Sequence, residues 1–343
     1  MKIGNQEIGP GHTVYVIAEI GVNHDGSVTR AIELVAHAKA AGADAVKLQV
    51  FRADTLVHQT AEFAEYQKTR VDAADPAEML RQYELDDAGL KTVAEAAEAA
   101  GLQLICTPFS PSDVERAAAV SAAMKIASPD LVNRLLLTRV IATGLPMIVS
   151  TGAATFEEIE SAAAWLTSKA ATFAMLHCVS HYPVDAADAN LSWISGLSRF
   201  GVPVGYSDHV ADAAAGALAV ACGASIVEKH LTYDTNAAGP DHSASLDPAG
   251  FTDYVRRIRQ AEMMLGTGRR RVLSCENDVR RVSRQSLVAA RDIASGNVIS
   301  PDDLTTKRPG TGLSAERFEA TIGQRASRLI SRGEMLQAGD IDG

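Results

Sequence analysis

The chain has 343 residues, a net charge of −10 and 47% hydrophobic residues. This length exceeds what one hydrophobic core usually spans, so we expect one large domain and one small one. The acidic balance argues against a general nucleic-acid binder, and no apolar run approaches the roughly 20 residues that a membrane helix requires.

The N-terminus shows no signal-peptide core, and the four cysteines fit no metal-binding spacing. We therefore expect a cytoplasmic protein whose cysteines are buried, reduced thiols. The cysteines are Cys106, Cys178, Cys222 and Cys275.

In chain order, residues Lys2–Val14 first predict a hairpin that could plug one end of a barrel. Eight short apolar runs rich in Val, Ile and Leu then predict strands buried on both faces of a parallel sheet. These runs are Tyr15–Gly21, Ala45–Phe51, Leu102–Phe109, Ala123–Ser128, Met147–Gly152, Phe173–Ser180, Val202–Ser207 and Ser225–His230.

Alanine-rich segments between the runs predict helices, and glycines such as Gly42 and Gly101 stand where C-caps belong. The clearest helical segments are Ala31–Ala41, Ala88–Ala100, Phe156–Lys169 and Ala211–Cys222. Eight strand–helix units in roughly 265 residues match the size of a closed (β/α)8 TIM barrel. An open doubly wound sheet is the weaker alternative, because no GxGxxG fingerprint follows the first strand.

A long polar insertion, roughly Arg52–Asp87, follows the second predicted strand. Loops of this length are uncommon unless they are functional. This one leaves the carboxyl end of a barrel strand, where the active sites of such barrels lie.

The pattern changes after the last barrel helix, where glycines and charges in Gly266–Arg284 indicate a linker. We expect a hairpin and barrel domain over 1–268, a linker over 269–283 and a small mixed-β domain over 284–343. The last domain is only marginally stable alone at this size, so we expect it to dock on the barrel or on a partner.

All eight predicted strands deliver polar side chains to their carboxyl ends. Lys47 and Lys125 lie in otherwise apolar strands, and a buried lysine is costly without a partner. With hydroxyls from neighbouring strands, these lysines favour a site for a phosphate and a carboxylate over structural ion pairs. The residues of this predicted anion site are Lys47, Thr107, Ser110, Lys125, Ser128, Ser150 and Ser207.

His209 and His230 end neighbouring strands, with Glu19 or Asp241 expected close by. Two imidazoles there can form an open divalent-metal site, in which the ion acts as a Lewis acid on a carbonyl. Hydrogen-bonded structural histidines fit the spacing equally well.

Taken together, these motifs resemble the sialic acid synthase family over nearly the whole chain. The barrel motifs that carry the resemblance are Ile17–Gly26, Gly42–Gln49, Thr107–Ser110, Lys125–Ser128, Ser150–Gly152, His177-Cys178, Tyr182-Pro183, Gly205–His209, Glu228–His230 and Gly239–His242. The tail is similar to the antifreeze-like (SAF) domain of that family, through Ser286–Ala289, Lys307–Gly312, Ile322-Gly323 and Gly339–Ile341.

The resemblance implies an enzyme that joins phosphoenolpyruvate to a six-carbon N-acetyl amino sugar, with C–O cleavage and a divalent metal, Mn²⁺ or Mg²⁺. It implies His209 and His230 as metal ligands, and the anion-site residues except Ser110 as phosphoenolpyruvate ligands. It also places Glu19, Gln49, Tyr182 and Asp241 at the sugar and metal, with Glu19 and Asp241 as candidates for proton transfer. Arg308 is implied to reach the sugar from the partner subunit, in a homodimer with swapped C-terminal domains.

The resemblance implies a role in lipopolysaccharide or capsule biosynthesis. It also bears on which sugar the enzyme uses. Ser180 stands where many N-acetylneuraminate synthases have Asn, and serine occurs there in pseudaminate-type members. Glu65-Tyr66-Gln67 is similar to the sialic and legionaminic branches. We expect N-acetylmannosamine, with a 2,4-diacetamido-trideoxyhexose as the alternative.

Two other function classes stay open at this point. A pyruvate-dependent aldolase of the Schiff-base kind would use one unpaired strand lysine, which the two-histidine metal site argues against. A non-catalytic binding module is suggested by the antifreeze-like tail alone, and the polar rim argues against it.

Overall fold

The computed structural model describes residues 1–58, 60–63 and 73–342. It divides into two compact units, Met1–Thr267 and Gly268–Gly343. The motif Glu65-Tyr66-Gln67 lies outside the described residues.

The first unit is a closed barrel of eight parallel strands that neighbour one another in chain order, with the last strand paired to the first, which confirms the predicted (β/α)8 fold. A two-stranded antiparallel hairpin precedes it. The strands of the unit are β1 (Lys2–Ile3), β2 (Gln6–Glu7), β3 (Tyr15–Glu19), β4 (Ala45–Val50), β5 (Gln103–Pro108), β6 (Ala123–Ile126), β7 (Met147–Ser150), β8 (Phe173–Cys178), β9 (Val204–Asp208) and β10 (Ile226–His230).

Helices surround the barrel, and their ends follow the expected capping chemistry. Ser27 accepts a hydrogen bond from the Arg30 amide at the start of the first helix, Val28–Ala41, and Gly42 ends that helix with φ of 85°, a value that glycine adopts without strain. The helices of the unit are α1 (Val28–Ala41), α2 (Ala53–Leu56), α3 (Pro76–Arg81), α4 (Asp87–Ala99), α5 (Val114–Ala118), α6 (Arg134–Ala142), α7 (Phe156–Ser168), α8 (Trp193–Leu197), α9 (Ala215–Ala221) and α10 (Pro248–Leu265).

The barrel interior at its amino end is apolar and is closed by the hairpin. Ile3 and Ile8 of the hairpin pack against side chains that point inward from the barrel strands. These inward residues are Tyr15, Ile17, Ala45, Ile105, Ala123, Ile148, Ala174, Leu176 and Ile226. A larger apolar layer fills the space between strands and helices.

The second unit is built from two similar halves. Strands β11 (Ser286–Ala289) and β12 (Leu304–Lys307) pair antiparallel, as do β13 (Arg325–Ala326) and β14 (Ile341–Asp342). Two short helices, α11 (Asn277–Ser283) and α12 (Phe318–Thr321), accompany them.

The same contacts recur in both halves. Arg291 donates to Asp303, and Arg328 donates to Asp340 at 2.8 Å. Ile293 and Ile330 exchange reciprocal backbone hydrogen bonds of 2.9 Å across the centre. The unit is therefore an internal repeat packed on itself around a single small core, whose members include Leu287, Ile299 and Leu336.

Three local features differ from the sequence-based expectations. The stretch predicted as a linker contains helix α11, and the polar insertion contains α2 and α3. Cys275 is exposed and Cys222 half-buried, so only Cys106 and Cys178 match the prediction of buried thiols.

No helix among the described residues is long and apolar enough to cross a membrane.

Candidate active site

A cavity of about 370 Å³ opens at the carboxyl end of the barrel. It brings together most of the site residues predicted from the sequence. Those that line it are Gln49, Lys125, Ser128, Ser150, Ser180, Tyr182, Ser207, His209, His230 and Asp241.

A larger groove of about 1000 Å³ lies at the amino end, between the hairpin and the loops around Val202 and Gly223. Its charged or titratable side chains are Glu7, His12, Cys222 and Glu262, and no predicted site residue lines it. Catalysis needs convergent polar groups rather than volume, so the smaller cavity is the candidate active site.

A layer of buried charges forms the floor of this cavity. Lys47 is ion-paired with Glu19 and lies 3.5 Å from Glu228 Oε1, and Lys125 Nζ lies 4.0 Å from the same oxygen. Lys47 also donates to Thr107 Oγ1 at 3.3 Å, and Lys125 donates to Ser150 Oγ at 2.6 Å. Lys125 therefore lines the cavity and Lys47 lies beneath it, as parts of one network.

The four charged groups of this layer differ in their pKa values. Burial lowers the pKa of Lys125, whereas the carboxylates of Glu19 and Glu228 overcome burial and raise the pKa of Lys47. Burial raises the pKa of Glu19, but Lys125 and Lys47 outweigh burial and hold the pKa of Glu228 below its ordinary value. The two lysines and two carboxyl groups therefore form one coupled network, in which burial and the neighbouring charges shift each pKa differently.

Glu228 lines the cavity but is absent from the sequence-based list of site residues. Its Oε1 accepts from Ser207 at 2.9 Å, and its Oε2 is buried without a hydrogen-bond partner among the described residues. Strand alternation could have revealed it, because residues i and i+2 of a strand share a face. Glu228 stands two residues before His230, and both point inward.

The two histidines lie side by side at the rim, with ring centroids 5.7 Å apart. His209 Nδ1 is 2.8 Å from the Val179 carbonyl oxygen and must donate to it, so Nε2 carries the lone pair. His230 Nδ1 is buried with no hydrogen-bond partner among the described residues, and Asp241 Oδ2 is 3.7 Å away. Burial lowers the pKa of both histidines, so both are neutral imidazoles at neutral pH.

This arrangement fits a divalent cation with an open coordination sphere. Each imidazole offers a nitrogen lone pair, and carboxylate or substrate oxygens could complete the shell. Within the described ranges, no group of three or more His, Cys, Asp or Glu side chains is gathered closely enough to hold a metal. Any ion here would therefore depend on the histidine pair together with water or substrate oxygen.

One wall of the cavity is apolar. Side chains from the loops after β3, β4 and β5 and from helices α2 and α3 form it. These are Val22, Phe51, Leu56, Met79, Leu80 and Phe109. The wall suits methyl groups on a ligand, whereas the opposite wall suits charge and hydroxyl groups.

The remaining predicted site residues do not line the cavity. Glu19, Lys47 and Thr107 are buried just beneath it. The Ser110 hydroxyl is within hydrogen-bonding distance of Ser112 (2.7 Å) and Asp113 (2.5 Å), at the start of helix α5. Arg308 is exposed in the second unit, directly after β12.

Comparison with known proteins gives the chain two family matches. Residues 34–270 match the NeuB family, and residues 284–342 match the SAF domain.

Individual relatives match nearly end to end. The chain is 38% identical to the N,N'-diacetyllegionaminic acid synthase of Legionella pneumophila, over 96% of this chain and 94% of the relative. It is 33% identical to the pseudaminic acid synthase of Campylobacter jejuni, over 99% and 100%. A crystal structure of the N-acetylneuraminic acid (sialic acid) synthetase of Leptospira borgpetersenii in complex with citrate superposes with a TM-score of 0.74 at 31% identity, covering 81% of this chain and 94% of that one.

Proposed function

The chain belongs to the NeuB family, and from that premise we propose that it condenses phosphoenolpyruvate with an N-acetylated six-carbon amino sugar to a nonulosonic acid and phosphate. The observation that carries the proposal is the meeting of two sites in one cavity. Lys125 and its hydroxyl neighbours provide an anion site, and His209 and His230, whose ring centroids lie 5.7 Å apart, provide nitrogen lone pairs in the lining of the same cavity.

Phosphoenolpyruvate carries a phosphate and a carboxylate, and the polar wall offers donors for both. Lys125 supplies a buried ammonium, and hydroxyls reach the same wall from four strands or their ends: Ser128, Ser150, Ser180 and Ser207. Charge-assisted hydrogen bonds of this kind are the strong ones, because the donors are held in a site from which water is largely excluded. Lys47 supports the site from below by balancing Glu19 and Glu228.

The amino sugar would lie between the histidines and the apolar wall. Gln49, Tyr182 and Asp241 line this part of the cavity and can hydrogen-bond sugar hydroxyl and amide groups. Leu80 and Phe109 offer apolar surface to acetyl methyl groups.

In the reaction, carbon 3 of phosphoenolpyruvate forms a bond to the sugar's aldehyde carbon, and the aldehyde oxygen takes up a proton. Water then adds to carbon 2, and the C–O bond to phosphate breaks. A Mn²⁺ or Mg²⁺ ion held by His209 and His230 would supply Lewis-acid polarisation of the aldehyde. Among the chain's own groups that line the cavity, the Glu228 carboxylate can accept the proton of the attacking water, and Asp241 can donate a proton to the aldehyde oxygen.

Two sugars remain in competition. The legionaminic and pseudaminic acid synthases among the relatives favour a 2,4-diacetamido-trideoxyhexose, whose methyl groups also suit the apolar wall. The sialic acid synthetase structure favours N-acetylmannosamine. We propose the diacetamido sugar as the better substrate, in place of the N-acetylmannosamine expected from the sequence.

A substrate panel tests the proposal. The protein with Mn²⁺ and phosphoenolpyruvate is offered N-acetylmannosamine and several 2,4-diacetamido-trideoxyhexoses, and released phosphate is measured. The highest kcat/KM is expected with a diacetamido sugar. Phosphate release with none of them would contradict the proposed reaction, and a higher kcat/KM with N-acetylmannosamine would reverse the order of the two sugars.

The proposal includes a homodimer in which Arg308 of one chain serves the cavity of the other. Arg308 is exposed within its own unit, at a turn where its planar guanidinium could meet sugar oxygens with several donors. Mixing Lys125→Ala and Arg308→Ala proteins after dissociation tests this. In a symmetric dimer, random reassociation should restore about a quarter of the wild-type activity, whereas no recovery would mean that each tail serves its own barrel.

A further inference from the structure

The residue before each cavity histidine points away from the cavity. Asp208 ends β9 and Lys229 stands in β10, directly opposite one another in the sheet register. Both side chains are 0% exposed, behind the barrel wall and against helix α10. They take no part in the reaction described above, so their burial as a charged pair needs another explanation.

Asp208 and Lys229 hold the backbone next to His209 through hydrogen bonds. The Val210 amide donates to Asp208 Oδ1 at 2.8 Å, and Lys229 Nζ donates to the Val210 carbonyl. Lys229 Nζ lies 3.6 Å from Asp208 Oδ1, and the Tyr254 hydroxyl donates to Asp208 Oδ2 at 2.8 Å. Both polar backbone groups of Val210 are thus fixed by the two charged side chains.

The pair therefore links the backbone segments that carry the two histidines. His209 is held between Asp208 and Val210, and His230 follows Lys229 directly in β10. A displacement of Lys229 would shift the turn at His209 relative to His230. On the cavity side, the bond from His209 Nδ1 to Val179 completes the support.

Stability alone does not account for such a pair. Replacing a fully buried ion pair by apolar groups is often neutral or stabilising, because charges lose their hydration on burial. Groups that orient the ligands of a metal, in contrast, commonly change metal affinity when they are altered.

We propose that Asp208 and Lys229 are positioning residues that set the separation and orientation of His209 and His230 for a divalent cation. This inference rests on the proposed function, because that function assigns the cation to the histidine pair. Neither residue touches the cation or the substrates.

The test measures Mn²⁺ binding to the metal-free full-length protein by calorimetry. Lys229→Met alone leaves Asp208 buried and unpaired and can fail to fold, so the informative variant is the double substitution Asp208→Asn with Lys229→Met. It removes both charges, and the new amide oxygen can still accept from the Val210 amide while the amide nitrogen donates to the Tyr254 hydroxyl oxygen. The matched control is Arg259→Met, which breaks the ion pair of α10 with Asp44 at 2.9 Å.

We expect the double variant to bind Mn²⁺ roughly 10- to 100-fold more weakly than the wild type, as for other residues that orient metal ligands. Its kcat should fall at saturating metal, while the KM for phosphoenolpyruvate stays unchanged because the anion site lies on other side chains. Arg259→Met should keep wild-type Mn²⁺ affinity even if its Tm is lower. A folded double variant with wild-type Mn²⁺ affinity would overturn the positioning role, whereas a wild-type protein without Mn²⁺ affinity would overturn the metal assignment and this inference with it.

Discussion

The inward side chains at the two ends of the barrel interior differ in polarity, although only two residues along each strand separate them. At the amino end the inward side chains include Ile17, Ala45, Ala123, Ile148 and Ile226, and all are apolar. Two residues further along each of these strands, the inward side chains are Glu19, Lys47, Lys125, Ser150 and Glu228. A rise of about 7 Å therefore separates a layer that stabilises the barrel from a layer of costly buried charges. The comparison teaches that stability and chemistry are divided between neighbouring layers of one core, so substitutions in each layer should have different consequences.

The largest difference should come from the histidine pair above the charged layer. Removing divalent metal with a chelator should lower turnover roughly 100-fold or more, since Lewis-acid polarisation is worth several kcal/mol of transition-state stabilisation. Added Mn²⁺ should restore the rate, and circular dichroism should show an unchanged fold throughout. Full turnover in excess chelator would show that the carboxyl-end layer works without an ion.

The two layers can be compared directly with one substitution in each. Lys125→Ala should lower kcat/KM for phosphoenolpyruvate roughly 10- to 100-fold, because it removes a buried charge-assisted contact. Its free energy of unfolding should fall less than that of Lys47→Ala, because Lys125 lies 4.0 Å from one carboxylate, whereas Lys47 is ion-paired with Glu19 and lies 3.5 Å from Glu228.

Ile148→Ala is the matched change in the apolar layer. It should lower the free energy of unfolding by about 2–5 kcal/mol through loss of packing. At temperatures well below its Tm, kcat/KM should stay at the wild-type value. The proposed division of stability and chemistry between the two layers would be contradicted by a Lys125→Ala enzyme that is stable and active. An Ile148→Ala enzyme that is stable but inactive would contradict it as well.

Lys47 should combine both effects, because it is ion-paired in the charged layer. Lys47→Ala leaves Glu19 and Glu228 without their shared cation, which should cost about 3–5 kcal/mol of stability at neutral pH in addition to activity. Since the pKa of Lys47 is raised, its contribution is fully present below its ordinary pKa and is lost as the pH rises through the folded value.

Acid should partly rescue the Lys47→Ala protein. Lowering the pH protonates the carboxyl groups that have lost Lys47, Glu19 before Glu228 because Glu228 keeps Lys125, so the stability gap to the wild type should narrow between pH 7 and pH 5. Urea unfolding at both pH values measures the gap. A gap that stays constant would mean that the two carboxylates do not depend on Lys47.

The positions of the eight strands could be predicted because strands buried on both faces of a parallel sheet are unbroken apolar runs. Their ends could not, since the predicted runs extend to Ser128 and Gly152, whereas the strands end at Ile126 and Ser150. The sequence-based list of site residues omitted Glu228, because a carboxylate is not expected among the ligands of an anion. Its position close to both Lys47 and Lys125 is visible only in the barrel, where β4, β6 and β10 point these side chains into the same interior.

The internal repeat of the second unit was also missed, although the sequence carries it. Arg291, Gly296 and Asp303 recur 37 positions later as Arg328, Gly333 and Asp340. Few positions are identical between the halves, and the shared contacts that identify the repeat are tertiary.

The smallest expected change in the free energy of unfolding lies in the second unit. There the charge of Asp303 stabilises the fold, in contrast to the costly buried charges of the barrel. Hydrogen bonds from Arg291 and Ser300 lower the pKa of Asp303 to about 2, so its contribution is fully present above its ordinary pKa of 3.8 and is lost as the pH falls through about 2. Asp303→Asn should cost about 1–2 kcal/mol, because Arg291 is largely exposed and the pair is screened. Hydrogen exchange at the Ala290 amide, which donates to the Asp303 carbonyl, measures it. The exposed neighbour Asp302 is the control, and an equal loss in Asp302→Asn would contradict the special role of Asp303.

The most direct test of the proposed reaction follows the bridging oxygen of phosphoenolpyruvate. Substrate labelled with ¹⁸O between carbon 2 and phosphorus is converted with the diacetamido sugar and Mn²⁺, and the released phosphate is analysed by mass spectrometry. Water addition at carbon 2 followed by C–O cleavage predicts that the label leaves with the phosphate, in a one-to-one ratio with the nonulosonic acid formed. Label retained in the sugar product would mean that the P–O bond breaks instead, and would contradict the proposed chemistry of the charged layer.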